Sequence, residues 1–155
     1  MAQTLPADLA RFVETLAASW GDSLVSVVLF GSWARGTAGP DSDIDLLIVA
    51  ASLPRSRFER FRLWRATAGE VSSELAHKLS VILLTTEEAK ATHPFYLDLT
   101  VEGVLLHDRD GFFQEVLDRL GRRLAELGSR RATDPQGHPY WILKEDCAFG
   151  EAIEL

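Results

Sequence analysis

Two apolar strands joined by a glycine-containing loop, with a pair of carboxylates where the second strand begins, constrain this chain more than any other stretch. Leu24–Phe30 reads Leu-Val-Ser-Val-Val-Leu-Phe. It is too apolar and β-branched for an exposed edge, so it is expected at the centre of a sheet. The second strand is expected from Asp43 to Val49. Asp43 and Asp45 stand two positions apart, so both acids leave the strand on one side while Ile44 leaves on the other. Like charges held together are costly unless a cation lies between them. Hard oxygen donors of this kind suit Mg²⁺, with Mn²⁺ as an alternative.

The loop between the strands adds its own chemistry. Gly31 lets the backbone turn sharply and approach a ligand closely. A short helix is expected to open at Ser32, whose hydroxyl and N–H are suited to phosphate oxygens. Arg35 is near enough in sequence to add a charge-assisted phosphate contact. Asp43 and Asp45 are the candidate catalytic and metal-binding residues. Gly31, Ser32, Arg35 and Ser42 are the candidate nucleotide-binding residues. An EF-hand reading fails, because the loop lacks the further ligands and the glutamate at its twelfth position. A Walker-type phosphate loop fails as well, because no Gly-Lys-Ser/Thr follows the first strand.

The remaining elements follow from periodicity and punctuation. Pro6 to Trp20 is an expected helix, with Leu9, Phe12, Val13, Leu16 and Trp20 on one stripe and Gly21 as its stop. An Arg-rich helix is expected from Ser56 to Ala68, resuming from Glu70 to His77, with Phe58, Phe61 and Trp64 giving it an apolar side. Leu79–Leu84 is a third strand. Thr85 and Glu88 have capping-box spacing. Phe95 to Glu102 is a short segment opened by Pro94, and Gly103 to His107 a fourth strand. Phe112–Leu127 is an amphipathic helix stopped by Gly128. Arg122, Arg123, Arg130 and Arg131 gather around its end and suit its negative pole. The tail suggests a hairpin. The expected fold is α/β (α+β): a small mixed sheet with helices packed mainly on one face. Residues 1–128 form the expected domain and 129–155 an extension packed on it.

Composition narrows the function classes. Of the 155 residues, 46% are hydrophobic and 25% charged, as in a globular chain with room for a core. The net charge of −7 argues against extended, charge-driven nucleic-acid binding. No apolar run approaches the ~20 residues that span a bilayer, and the N-terminus lacks the pattern of a signal peptide. The single cysteine, Cys147, has no internal disulfide partner, which suits a reducing cytoplasm. His77, His93, His107 and His138 have no metal-ligand spacing.

The stretch Gly31-Ser32 … Asp43-x-Asp45, with Ala34-Arg35-Gly36 and Ser42, resembles the minimal nucleotidyltransferases of the DNA polymerase beta superfamily. The resemblance is specific from Val25 to Val49 and extends as an element order to about Leu106. It implies a polymerase-beta-like fold and a Mg²⁺-dependent transfer of a nucleoside monophosphate, AMP from ATP, to a hydroxyl acceptor. It also implies a HEPN-domain protein as partner, with this chain as the antitoxin that modifies it. Active members usually carry a third carboxylate on a later strand. Here Ser80 stands at the expected place, with Glu70, Glu74 and Asp98 as substitutes from neighbouring elements. Two other readings stay open. One is a degenerate module that binds nucleotide or a partner without turnover. The other is a small-molecule transferase of the aminoglycoside-modifying type.

Overall fold

The computed structural model describes residues 4–155. The first three residues of the N-terminal segment read above for a leader pattern lie outside that range. The chain begins with helix α1 (Ala7–Trp20), whose Leu9, Phe12 and Leu16 are buried at helical spacing. Gly21 ends it with φ of 51°. Strand β1 (Leu24–Phe30), the short helix α2 (Gly31–Arg35) and strand β2 (Ile44–Ala50) follow. Helices α3 (Arg57–Val71) and α4 (Ser73–Lys78) then cross over to strand β3 (Leu79–Thr85). Helices α5 (Thr86–Lys90) and α6 (Tyr96–Glu102) lead to strand β4 (Val104–Asp108) and the long helix α7 (Phe112–Leu127). A hairpin of β5 (Arg130–Thr133) and β6 (Pro139–Ile142) comes last, as the tail suggests.

The main sheet has the order β3-β2-β1-β4. β1 is antiparallel to both its neighbours, and β2 is parallel to β3. β1 is therefore central, as its composition requires. The sheet is mixed, as expected, but the helices cover both faces rather than mainly one. On one side α1, α3 and α4 pack against Leu24, Val27, Leu29, Ile44, Leu46 and Ile48. On the other, α5, α6 and α7 pack against Val25, Val28, Leu47 and Val49. The physical reason lies in the strands themselves. β1 and β2 are apolar at nearly every position, so neither has a face that water can cover cheaply. Irregularities in pairing after Leu24 and after Val27 adjust which face each β1 side chain takes.

Two local results refine the sequence reading. On α3 the expected apolar side of Phe58, Phe61 and Trp64 is only partly buried. Trp64 is 4% exposed, whereas Phe58 is 68% and Phe61 44% exposed. The helix instead turns Trp64, Thr67 and Ala68 inward. Phe61 meets Trp64 edge-on at 5.2 Å, and the Arg62 and Arg65 guanidiniums lie over Phe58 and Phe61 at 6.0 and 5.5 Å. The capping box at Thr85 forms as its spacing indicates. The Thr85 N–H donates to the Glu88 carboxylate at 2.8 Å, and the Glu88 N–H donates to the Thr85 hydroxyl at 3.1 Å.

Arg60 extends that cap into a clamp. It donates to both Glu88 carboxylate oxygens, to the Pro54 carbonyl and to the Leu83 carbonyl. The Arg60 hydrogen bond, joined by the Thr85 N–H, lowers the Glu88 carboxyl from 4.5 to about 2. A depressed folded-state pKa stabilises the fold above the unfolded value and loses that contribution as pH falls toward 2. Urea unfolding at several pH values should show Glu88→Gln less stable than wild type by about 1 kcal/mol at pH 7. The difference should shrink between pH 4.5 and about 2. A gap that persists unchanged at low pH would count against the clamp.

Candidate active site

The expected site residues meet at one rim of the sheet. β1 ends at Phe30, which pairs with Asp45 across the antiparallel ladder. The chain then turns at Gly31, with φ of 71°, directly into α2. An added Cβ at Gly31 would lie 2.2 Å from Asp45 Oδ2. Both the backbone angle and the close approach therefore demand glycine there. Ser32 follows in the first turn of α2 and is half-buried. Its carbonyl accepts from the Thr37 N–H at 2.9 Å, which folds the loop back after α2.

The loop closes on itself before β2 begins. Trp33 donates its indole N–H to the Ser42 carbonyl at 3.4 Å and packs against the α1 side of the core. Ser42 uses its hydroxyl to accept from the Gly39 N–H at 2.9 Å. Trp33 is thus a packing residue of the loop, and the Ser42 hydroxyl is engaged in shaping it. The fixed loop delivers Asp43, exposed, and Asp45, half-buried, side by side.

Asp45 carries the electrostatic signature of the site. Its pKa is raised, first by burial and then by the Asp43 charge; a hydrogen bond from Ser80 and the charge of Arg35 act in the opposite direction. In the parallel register Asp45 lies beside Ser80 on β3. Ser80 therefore occupies the position where the sequence reading places it. A hydroxyl there is no base at neutral pH and a weak metal ligand. Of the substitutes named from sequence, Asp98 is engaged by the Trp141 indole and Arg131, and Glu74 pairs with Lys78. Among the described residues no three His, Cys, Asp or Glu side chains converge on one point.

Two adjacent carboxylates, one of them partly desolvated and raised by the other, are chemically suited to a divalent cation. Mg²⁺ is commonly held by one or two carboxylates, with water and substrate phosphates completing its shell. The donor set of Asp43 and Asp45, with the Ser80 hydroxyl nearby, fits that arrangement.

Arg35 has a partner that sequence spacing does not indicate. It donates to Glu102 Oε1 at 2.8 Å, at the end of α6. The Glu102 side chain is only 9% exposed, and its other oxygen accepts from Arg131 of β5 at 3.1 Å. Arg131 also lies 3.3 Å from Asp98, which accepts the indole N–H of Trp141 on β6 at 3.0 Å. The hairpin is thereby tied to the motif loop through one buried carboxylate. No sequence signal marks this chain of contacts, because its members lie far apart and match no spacing rule. Arg122, Arg123 and Arg130 have intramolecular acidic partners as well.

The geometry sets two expectations for stability. An acid whose folded-state pKa is raised weakens the fold progressively as pH climbs from its unfolded pKa to its folded one, because folding then disfavours the ionised form. Asp45→Asn should raise the thermal midpoint of the ligand-free protein at pH 7, with the difference vanishing below the ordinary aspartate pKa of 3.8. A lower midpoint at pH 7 would contradict the strain assigned to Asp45. Gly31→Ala should cost about 1–3 kcal/mol in chemical unfolding, more than Gly36→Ala, where nothing lies within 4 Å of the added carbon.

Comparison with known proteins identifies the family of the chain. A model described as a nucleotidyltransferase domain matches residues 9–103. A relative from Methanocaldococcus jannaschii, named as a protein adenylyltransferase, is 33% identical over 114 residues. That alignment spans 72% of this chain and 78% of the relative. Among solved structures, a toxin–antitoxin crystal structure with AMP-PNP aligns at a TM-score of 0.48 and 21% identity, over 77% of this chain and 92% of its own. A tri-AMPylated HEPN toxin in complex with MNT antitoxin, from Shewanella oneidensis, aligns at 0.45 and 18%, over 78% and 90%. Family membership rests on the two sequence matches. The domain match covers more than half the chain and includes Gly31, Ser32, Asp43, Asp45 and Ser80: this chain belongs to the nucleotidyltransferase domain family.

Proposed function

We propose that this nucleotidyltransferase transfers AMP from ATP to a hydroxyl of a protein acceptor, using a divalent cation, Mg²⁺ or Mn²⁺, held by Asp43 and Asp45. The observation that carries the reading is the raised Asp45 carboxyl, set against Gly31 and beside Asp43. The name of the archaeal relative supports a protein as the acceptor. The resemblance of the Gly31-to-Asp45 motif to minimal nucleotidyltransferases narrows that acceptor to a HEPN-domain partner, with this chain as its antitoxin.

In this reaction the acceptor oxygen bonds the α-phosphorus, the anhydride bond to the β-phosphate breaks, pyrophosphate leaves, and the hydroxyl proton passes to solvent. The bound cation supplies neutralisation of phosphate charge and polarisation of the reacting oxygens. Asp43 and Asp45 would hold it. Gly31 keeps the backbone low enough for a triphosphate to approach, and Ser32 presents its hydroxyl and N–H at the turn. Arg35 adds positive charge next to Asp45, and Glu102 holds it in place.

One observation favours a second reading, a nucleotide-binding module without turnover. Ser80, rather than an acid, faces Asp45 across the ladder. A single experiment separates the two. The purified protein is incubated with labelled ATP, GTP, CTP or UTP, with Mg²⁺ or Mn²⁺, and with a co-expressed HEPN protein or a cell lysate. The expected result is label from ATP on a protein acceptor, lost when Asp43→Ala is combined with Asp45→Ala. Tight nucleotide binding with no labelled product under any condition overturns transfer. Equal labelling by the double variant overturns the site.

A further inference from the structure

One margin of the sheet joins the site to a cavity that the reaction does not use. β3 is an outer strand, paired with β2 alone. Arg60 donates to the Leu83 carbonyl at 3.3 Å, so the backbone of Leu83 faces away from β2. Alternation along the strand turns Val81 toward the same open side. A cavity of about 610 Å³ follows this margin, and Val81, Ile82, Leu83 and Leu84 border it in unbroken succession. Successive residues send side chains to opposite faces, so such a run marks exposed strand backbone. Arg60 occupies the Leu83 carbonyl. Among the described residues no bond outside the ladder engages the N–H and C=O of Val81 or the N–H of Leu83, which leaves them for a ligand.

The opposite wall is basic and aromatic. Arg55, Arg57 and Phe61 border it. Arg60 in the same wall is matched by Glu88. The guanidinium groups of Arg55 and Arg57 are exposed and have no hydrogen bond or ion pair among the described residues. Two unmatched cations stand together here on a chain of net charge −7. At its other end the same strand places Ser80 beside Asp45. Ser80 and Leu83 are three residues apart, about 10 Å along a strand.

We propose that the open margin of β3 receives an extended acidic segment of the acceptor protein as an added strand. Its backbone bonds Val81 and Leu83, its carboxylates meet Arg55 and Arg57, and a hydroxyl residue upstream or downstream of them is carried past Ser80 toward Asp45. The proposal rests on the transferase reading above and names how its acceptor is recognised. Backbone pairing supplies affinity and the arginines supply selectivity, the division of labour seen when peptides extend a sheet. A long nucleic acid would meet the arginines but has no use for the strand's backbone groups, and the overall charge repels it.

Fluorescence anisotropy with a labelled peptide of about eight residues, alternating Thr and Glu, tests the proposal. Controls are the same peptide alternating Thr and Lys, and an oligouridine. The Glu peptide is expected to bind about tenfold more tightly than the Lys peptide, a margin of about 1.4 kcal/mol. Arg55→Glu combined with Arg57→Glu should abolish or reverse that preference. Val81→Pro removes one outward N–H while leaving the ladder to β2, and should weaken the Glu peptide severalfold with circular dichroism unchanged. Affinity for an ATP analogue, read separately, should stay the same in both variants. Equal binding of the two peptides, insensitivity to both variants, or tighter oligouridine binding untouched by Val81→Pro overturns the docking margin. Peptide binding as expected with no AMP transfer faults the transferase reading instead.

Discussion

The contact between the Asp45 carboxylate and the backbone of Gly31 is the constraint on which the rest of the site depends. It exists because β1 and β2 pair in one register, Phe30 opposite Asp45. That register is set by burial on both faces of the sheet. A shift of one residue would move Leu46 and Ile48 out of the layer shared with α1 and α3, and Leu47 and Val49 out of the layer shared with α6 and α7. The same shift would turn Asp45 to the wrong side. The apolar core and the acidic pair are thus fixed by one choice of pairing, and a local rearrangement of the site would cost burial across the sheet.

The site is also electrostatically incomplete without a ligand. Burial and Asp43 act together against ionisation of Asp45, and Ser80 and Arg35 offset only part of this. A cation would relieve the conflict that the fold creates. The surrounding positive charge is arranged in graded commitment. Arg60 is locked into a cap, Arg35 is shared with the Glu102 carboxylate, and Arg55 and Arg57 have no hydrogen bond or ion pair among the described residues. Of these four arginines, the last two can meet a partner without disturbing a contact among the described residues.

Much of this was legible in the chain, for identifiable reasons. β1 could be placed centrally because seven successive residues offer no polar face, and the same argument, applied to β2 and followed further, gives helices on both sides. Gly31, Asp43 and Asp45 were recognisable because period-two geometry and glycine's backbone freedom act locally. The Thr85 cap was recognisable on the same ground. Phe58 and Phe61 misled because aromatic residues at helical spacing indicate a stripe but not whether anything lies opposite it; arginines cover them instead. The partners of Arg35 and Arg131 were illegible. Both meet on Glu102, and bonds between residues brought together only by tertiary folding leave no periodic trace.

The Glu102 junction has a temporal side. Arg35 and the motif loop belong to the first third of the chain, whereas Arg131 follows α7. At ordinary rates of synthesis Arg131 emerges on the order of ten seconds after Arg35. Until it does, Glu102 has one cation to hold instead of two, and the hairpin that carries Trp141 has yet to form. Order of synthesis therefore makes the Arg35–Glu102 contact possible before Arg131 can add the second cation to the same carboxylate.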